Sequence, residues 1–263
     1  MNEIITSLQN PQVKIWRSLN KSRSARTLHG LFLAEGEHMA GEAVKEKKAQ
    51  ALLMDERAWE KYAALAESAS AQGVLVHALA GHVMEALCDA KTPQGVIAVC
   101  DYPHAALPAD PGDYLLALDG VQDPGNVGTL IRTVDAAGFS RVLIDDKTAD
   151  PYGPKALRAS MGGVFRVPVT LCPSLPDALS GLKAQGFEIV AGDLRGAPFF
   201  SRPTAREKIC IVVGSEGNGV SPAVMAAATL RLKLPIPGGA ESLNAAVAGS
   251  IMIYDYLREK LQK

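Results

Sequence analysis

Three short loops in the second half of this 263-residue chain hold the residues whose types and spacing suit chemistry. The last, L-P-I-P-G-G-A-E-S-L-N from Leu234 to Asn244, joins an apolar strand (Leu230 to Leu234) to a long closing helix that starts near Asn244. Pro235 and Pro237 stiffen its entry, and Gly238 and Gly239 let backbone come close to a ligand. Glu241, Ser242 and Asn244 crowd polar groups onto a helix N-terminus, where unpaired N–H groups suit ligand binding.

The second loop, V-G-S-E-G-N-G-V-S-P from Val213 to Pro222, sets three glycines around Glu216 at the end of the most continuous apolar run, Ile209 to Val213. In open α/β sheets ligands bind at the carboxyl ends of such strands. A degenerate dinucleotide loop is the competing reading, but no acid ends a second strand about 20 residues on, as the ribose contact of that motif requires. The remaining loop, D-G-V-Q-D-P-G-N-V-G-T-L-I-R from Asp119 to Arg132, follows a strand and opens a helix as a phosphate-binding turn does, without matching either glycine-rich phosphate motif. Asn126 suits an N-cap. Val127, Leu130, Ile131 and Val134 make the inward stripe of the helix, so Arg132 projects from another face. From this loop alone, a capped helix with one surface arginine is the favoured reading.

All five histidines, His29, His38, His77, His82 and His104, precede residue 105, so chemistry in the second half has no histidine of its own as base or metal ligand. Cys88, Cys100, Cys172 and Cys210 are widely separated beside apolar segments, which suits buried thiols in a reducing cytoplasm rather than zinc or a disulfide framework. No apolar run approaches a membrane span, and Met1 to Ile4 show no secretion signal. A net charge of −1 argues against attachment to nucleic acid by global charge. Yet Lys14, Arg17, Lys21, Arg23 and Arg26 face only Glu3 in the first 30 residues. That cluster suits a phosphate backbone or a solvated amphipathic helix.

The elements that must position these groups fall into two sets. The pattern predicts an α/β unit over residues 1–100, with helices over Pro11–Ser24, Glu37–Lys47, Glu56–Ser70 and Gly81–Leu87 and strands near Leu31–Ala34, Ala51–Met54, Val74–His77 and Val96–Cys100. A proline-bearing linker over 101–113 follows. Over 114–263, strands near Tyr114–Leu118, Arg141–Ile144, Phe165–Val169, Glu188–Ala191, Ile209–Val213 and Leu230–Leu234 alternate with helices, implying a parallel sheet covered on both faces.

Together the runs D-G-V-Q-D-P-G-N-V-G-T-L-I-R, V-V-G-S-E-G-N-G-V-S and L-P-I-P-G-G-A-E-S-L-N-A-A-V-A strongly resemble the three motifs of SpoU (TrmH-type) RNA ribose methyltransferases of the SPOUT superfamily, in the family's order and spacing. The first hundred residues resemble the small α/β substrate-binding domain of many members, through I-T-S-L-Q-N-P-Q-V-K, F-L-A-E-G and T-P-Q-G-V-I-A-V. The resemblance implies a deep trefoil knot at the C-terminus, a homodimer with active sites at its interface, and S-adenosylmethionine as methyl donor. It implies a ribose 2′-hydroxyl of structured RNA as acceptor, ribosomal RNA before transfer RNA, with a non-catalytic RNA-binding protein of the same fold as the alternative. Gly214, Ile236 and Leu243 match cofactor-contacting positions. Arg132 matches the motif-one arginine, and Asn126, Glu216, Ser242 and Asn244 the other polar positions. Because a guanidinium is a poor base, phosphate clamping and lowering of the hydroxyl's pKa suit Arg132 better than proton abstraction. Asn126 and Glu216 would orient Arg132 and the loops. Lys155, Arg158 and Ser160 also resemble a recurring family segment, and with it the basic N-terminal helix becomes an expected RNA contact. No metal is implied.

Overall fold

A computed structural model of the chain describes residues 4–103 and 106–262. Met1 to Glu3, and His104 of the linker, lie outside the described residues. Two compact units result: the described residues through Pro103 with Tyr152–Arg166, and those from 106 through Pro151 with Val167 onward.

The first unit runs α1 (Pro11–Leu19), α2 (Arg23–His29), β1 (Leu31–Glu35), α3 (Glu37–Lys45), β2 (Ala49–Asp55), α4 (Ala63–Ala71), β3 (Leu75–Leu79), α5 (Gly81–Leu87) and β4 (Val96–Asp101). Its sheet has the order β1-β4-β2-β3, with β4 antiparallel to both neighbours and β2 parallel to β3. Two expected helices are divided. The continuous helix over 11–24 breaks because Ser22 caps a new one, accepting from Ala25 N at 3.2 Å, while Asn20 ends the first. The helix over 56–70 becomes a short 3-10 turn, Glu56–Ala58, and α4. Tyr152–Arg166, part of the second unit by sequence order, groups here through aromatic contacts: Phe32 lies 4.9 Å from Tyr152 and 6.1 Å from Phe165, ring centre to ring centre.

In the chain order of the second unit and this inserted segment come β5 (Tyr114–Asp119), α6 (Pro124–Ala137), β6 (Arg141–Ile144), α7 (Pro154–Ser160), α8 (Gly163–Arg166), β7 (Val169–Leu171), α9 (Leu175–Ala184), β8 (Glu188–Pro198), β9 (Ile209–Gly214), α10 (Pro222–Ala227), β10 (Leu230–Lys233) and α11 (Ala245–Leu261). The strand expected over 165–169 is thus the helix α8 followed by β7, whose pairing with β6 starts at Val169. The six-stranded sheet is parallel throughout, in the order β10-β8-β9-β5-β6-β7. Ile209, Cys210, Ile211 and Val212 on β9 are fully buried, as a central parallel strand covered on both faces must be. Each large aliphatic among them contributes about 1.5–3 kcal/mol of burial. Cys100, Cys172 and Cys210 are buried and Cys88 is half-buried, all as thiols, and burial pushes Cys172 up to about 11.

Because every strand points the same way, the loops that leave β5, β9 and β10 emerge at one edge of the sheet. Those are the three loops that carry the chemistry.

Candidate active site

Two buried carboxylates set the base of the site. Asp119, ending β5, accepts from Ser221 N at 2.6 Å and so joins the first loop to the start of α10. Asp145, beyond β6, accepts from Gly120 N at 3.0 Å and Thr148 N at 2.9 Å. The sequence reading gave neither a role; the signal available was an acid directly after an apolar strand.

Above that base one amide ties the loops together. Asn126 donates through Nδ2 to Glu216 Oε1 at 2.7 Å, and its Oδ1 accepts from Asn244 Nδ2 at 3.0 Å. Glu216 Oε2 also accepts from Gln122 N at 3.4 Å. Asn244 caps α11, accepting from Ala246 N at 2.9 Å and Val247 N at 3.2 Å. Asn126 itself is not the cap of α6, which starts two residues earlier than expected. Asp123 caps it by accepting from Asn126 N at 3.0 Å, with Pro124 in the first helical position. Being inside the first turn frees the Asn126 side chain to bridge the other two loops.

Arg132 is exposed and makes no side-chain bond among the described residues, so Asn126 and Glu216 orient each other and Asn244 rather than Arg132.

The loops after β9 and β10 border a cavity of 590 Å³, a size that suits a small-molecule ligand. Gly214, Glu216, Ile236, Ser242 and Leu243 line it, with Leu232, Met225 and Met252 adding apolar surface. Gly214 has a reason to be glycine that the sequence reading did not foresee. A Cβ there would sit 2.1 Å from the carbonyl carbon of Gly219, where the loop folds back through paired Ser215 and Gly219 backbone bonds of 3.0 and 2.9 Å. The bare backbone packs against its own loop, which leaves the loop's other side to the cavity.

A further wall of the cavity went unread. The expected strand stops at Ala191, but β8 continues to Pro198 after an excursion. Arg231 of β10 pairs with Ala191, and the next residue, Leu232, pairs with Ala197, so five residues, Gly192 to Gly196, leave the ladder. Gly192, Asp193, Leu194 and Arg195 line the cavity. The run G-D-L-R-G directly after a strand was the signal.

The basic groups divide. Lys14, Arg17 and Lys21 are exposed, whereas Arg26 is 5% exposed and its guanidinium donates to Leu19 O at the end of α1. Its place in the phosphate-facing set is corrected: it is a brace between α1 and α2. Arg158 is exposed and pairs with Asp89 at 2.9 Å, and Lys155 is exposed. Ser160 is buried and donates to Leu157 O at 2.8 Å. Among the described residues no group of three or more His, Cys, Asp or Glu is placed to hold a metal ion, and no helix is long and apolar enough to cross a membrane.

Three glycine-bearing loops tied together at the strand ends of a parallel sheet, two of them bordering one cavity, define an α/β protein with a nucleoside-sized ligand site. Residues 113–254 match the SpoU rRNA Methylase family, and residues 10–98 match an MRM3-like substrate binding domain. The chain belongs to the SpoU rRNA methylase family. It is 38% identical over 253 residues to the 23S rRNA (guanosine(2553)-2'-O)-methyltransferase RlmP of Bacillus subtilis, covering 95% of this chain and 97% of that protein. An AdoMet-bound rRNA methyltransferase from Sinorhizobium meliloti superposes with a TM-score of 0.84 at 31% identity, over 97% of each chain. The SpoU methyltransferase AviRb from Streptomyces viridochromogenes, in complex with AdoMet, does so with 0.84 at 26% identity, over 97% of this chain and 100% of that one. The protein is an S-adenosylmethionine-dependent RNA 2′-O-methyltransferase. The cavity fits that cofactor: Ile236, Leu243 and Met225 supply apolar lining, together with the bare backbone of the Gly214 loop.

Proposed function

We propose that the protein methylates one ribose 2′-hydroxyl of ribosomal RNA, as a cytoplasmic homodimer. The observation that carries this reading is the Asn126 amide, which joins Glu216 and Asn244 and so ties the first motif loop to the two that border the cavity. A ribosomal target is supported by RlmP, which is named for 23S rRNA, and by the first unit's match to a substrate-binding domain. Lys14, Arg17 and Lys21 of α1 and its end present cations to a phosphate backbone, and Arg23 and Arg158 serve the same role. Dimerisation is supported by Val247, Ile251 and Tyr254 on α11, 48%, 37% and 49% exposed at i, i+4 and i+7, an apolar stripe suited to a second copy. The deep knot that the sequence resemblance implies, closed by residues 234–244, belongs to the same reading.

When bound, S-adenosylmethionine supplies a methyl group on a sulfonium centre. The chain's own residues do the rest. Gly214, Ile236 and Leu243 hold the cofactor, with backbone N–H and C=O groups reading the adenine edge. Arg132 clamps the phosphate beside the acceptor ribose and lowers the hydroxyl's pKa by its charge; its guanidinium stays protonated throughout. Asn126, Glu216 and Asn244 keep the loops in register, and Ser242 shapes the acceptor side. Positioning of this kind supplies up to about 7–11 kcal/mol of a barrier.

The test is to incubate the protein with ribosomal RNA and methyl-labelled cofactor, and to map 2′-O-methyl sites in RNA from cells with and without the gene. One ribosomal site gained in both is expected. A site found only in transfer RNA, or no ribose methylation at all, would reject the reading.

A further inference from the structure

The excursion Gly192 to Gly196 is built to present one carboxylate to the cavity. Gly196 lets the strand rejoin its ladder, since a Cβ there would lie 2.5 Å from Arg231 O. Leu194 and Arg195 turn outward, the first 55% exposed and the second's side chain 90% exposed. Asp193 does the opposite: its side chain is only 10% exposed, and the residue lines the cavity. Its Oδ1 accepts from Arg195 N at 2.9 Å and lies 3.6 Å from Arg195 Nε. Its Oδ2 has no partner among the described residues. Water reaches this oxygen in the open cavity, so a ligand that displaces that water must supply a donor in its place or lose affinity.

We infer that Asp193 is a cofactor-binding residue whose free oxygen accepts from the ribose hydroxyls of the adenosyl group. The inference rests on the cofactor occupying this cavity. The donors an adenosyl-amino acid offers are its ribose hydroxyls, its adenine amino group and its α-ammonium. The apolar residues and backbone of the Gly214, Ile236 and Leu243 region suit the adenine. The ammonium is disfavoured because the Arg195 guanidinium already balances the Asp193 charge and would repel a second cation. A neutral hydroxyl donor suits a carboxylate that is charge-balanced but lacks one hydrogen bond. Carboxylate recognition of ribose hydroxyls at the end of a parallel strand is the solution dinucleotide-binding folds also use.

Calorimetry on the full-length protein tests this with two probes: S-adenosylhomocysteine, and 5′-methylthioadenosine, which keeps the adenine and ribose but lacks the amino acid. Asp193→Ala should weaken both by a similar factor of about 10 to 100. Asp193→Asn, whose amide oxygen still accepts, should lose less. Leu171→Ala, an exposed side chain on β7 outside the cavity lining, should bind as wild type, and unchanged melting temperatures would show that the variants are folded. Loss for S-adenosylhomocysteine alone would assign Asp193 to the ammonium and overturn the inference, as would wild-type affinity of Asp193→Ala for both probes. Failure of the wild-type protein itself to bind S-adenosylhomocysteine would instead reject the placement of the cofactor.

Discussion

The two ends of α11 are held in opposite ways. At its start, Asn244 joins Asn126 and Glu216 in a network that is open to solvent and made of amides around one carboxylate. Toward its end, Asp255 and Glu259 pair with Arg202, whose side chain is 2% exposed; the Asp255 contact is 2.6 Å. The Arg202 guanidinium lies against two rings, 4.3 Å from the centre of Phe199 and 4.1 Å from that of Tyr256. Glu259 also accepts from Ala205 N at 2.9 Å. The buried end fixes the helix to the sheet and leaves nothing for a ligand to reach. The open end costs little to disturb and keeps polar atoms where a ribose would come. One helix thus carries its structural anchor and its motif loop at opposite ends.

Breaking the buried end should give the largest effect. Arg202→Ala removes the buried cation shared by Asp255 and Glu259, leaving Asp255 only the exposed Arg258, and should cost about 3–5 kcal/mol of stability, read as a lower denaturation midpoint. Arg132→Ala removes an exposed cation of α6, the helix that carries Asn126. It should lower the transfer rate by about 10² to 10³ while the affinity for S-adenosylhomocysteine stays within twofold. Simultaneous loss of both would show that Arg132 serves the cavity instead. Asn126→Ala sharpens the contrast, because its partners are solvated. A stability cost of about 0.5–1.5 kcal/mol is expected, with a tenfold to hundredfold loss in transfer from displaced loops.

The smallest effect concerns Glu188, whose carboxyl is held above its ordinary value of 4.5 by burial, against the pull of Arg206 at 3.5 Å. A raised carboxyl pKa means that the folded state holds its proton longer than the unfolded chain does. The stability it contributes is therefore complete below pH 4.5 and is lost as pH rises through the folded value. Glu188→Gln should raise the melting temperature near neutral pH, and the gain should vanish in acid. An equal gain at both pH values would remove titration as the cause.

The three loops were legible in the sequence because polar and glycine residues stood out against long apolar strands, and strand direction alone then brings them to one edge. What escaped was decided by contacts. Asp123 and Asn126 both suit a cap, and Pro124 between them settles the choice by starting the helix early. Five cations near the N-terminus look alike on the page, yet Arg26 turns inward to the Leu19 carbonyl. The strand continuing past Ala191 was hidden because the glycines that frame its excursion look like a turn. The reason for Gly214 lies in its own loop, five residues away in sequence but in contact in space.

The most direct test compares methyl transfer per folded molecule for Arg202→Ala and Asn126→Ala, at a temperature where both variants are folded. The account predicts a wild-type rate for Arg202→Ala and a loss of tenfold or more for Asn126→Ala. A normal rate for Asn126→Ala together with a lost one for Arg202→Ala would contradict it.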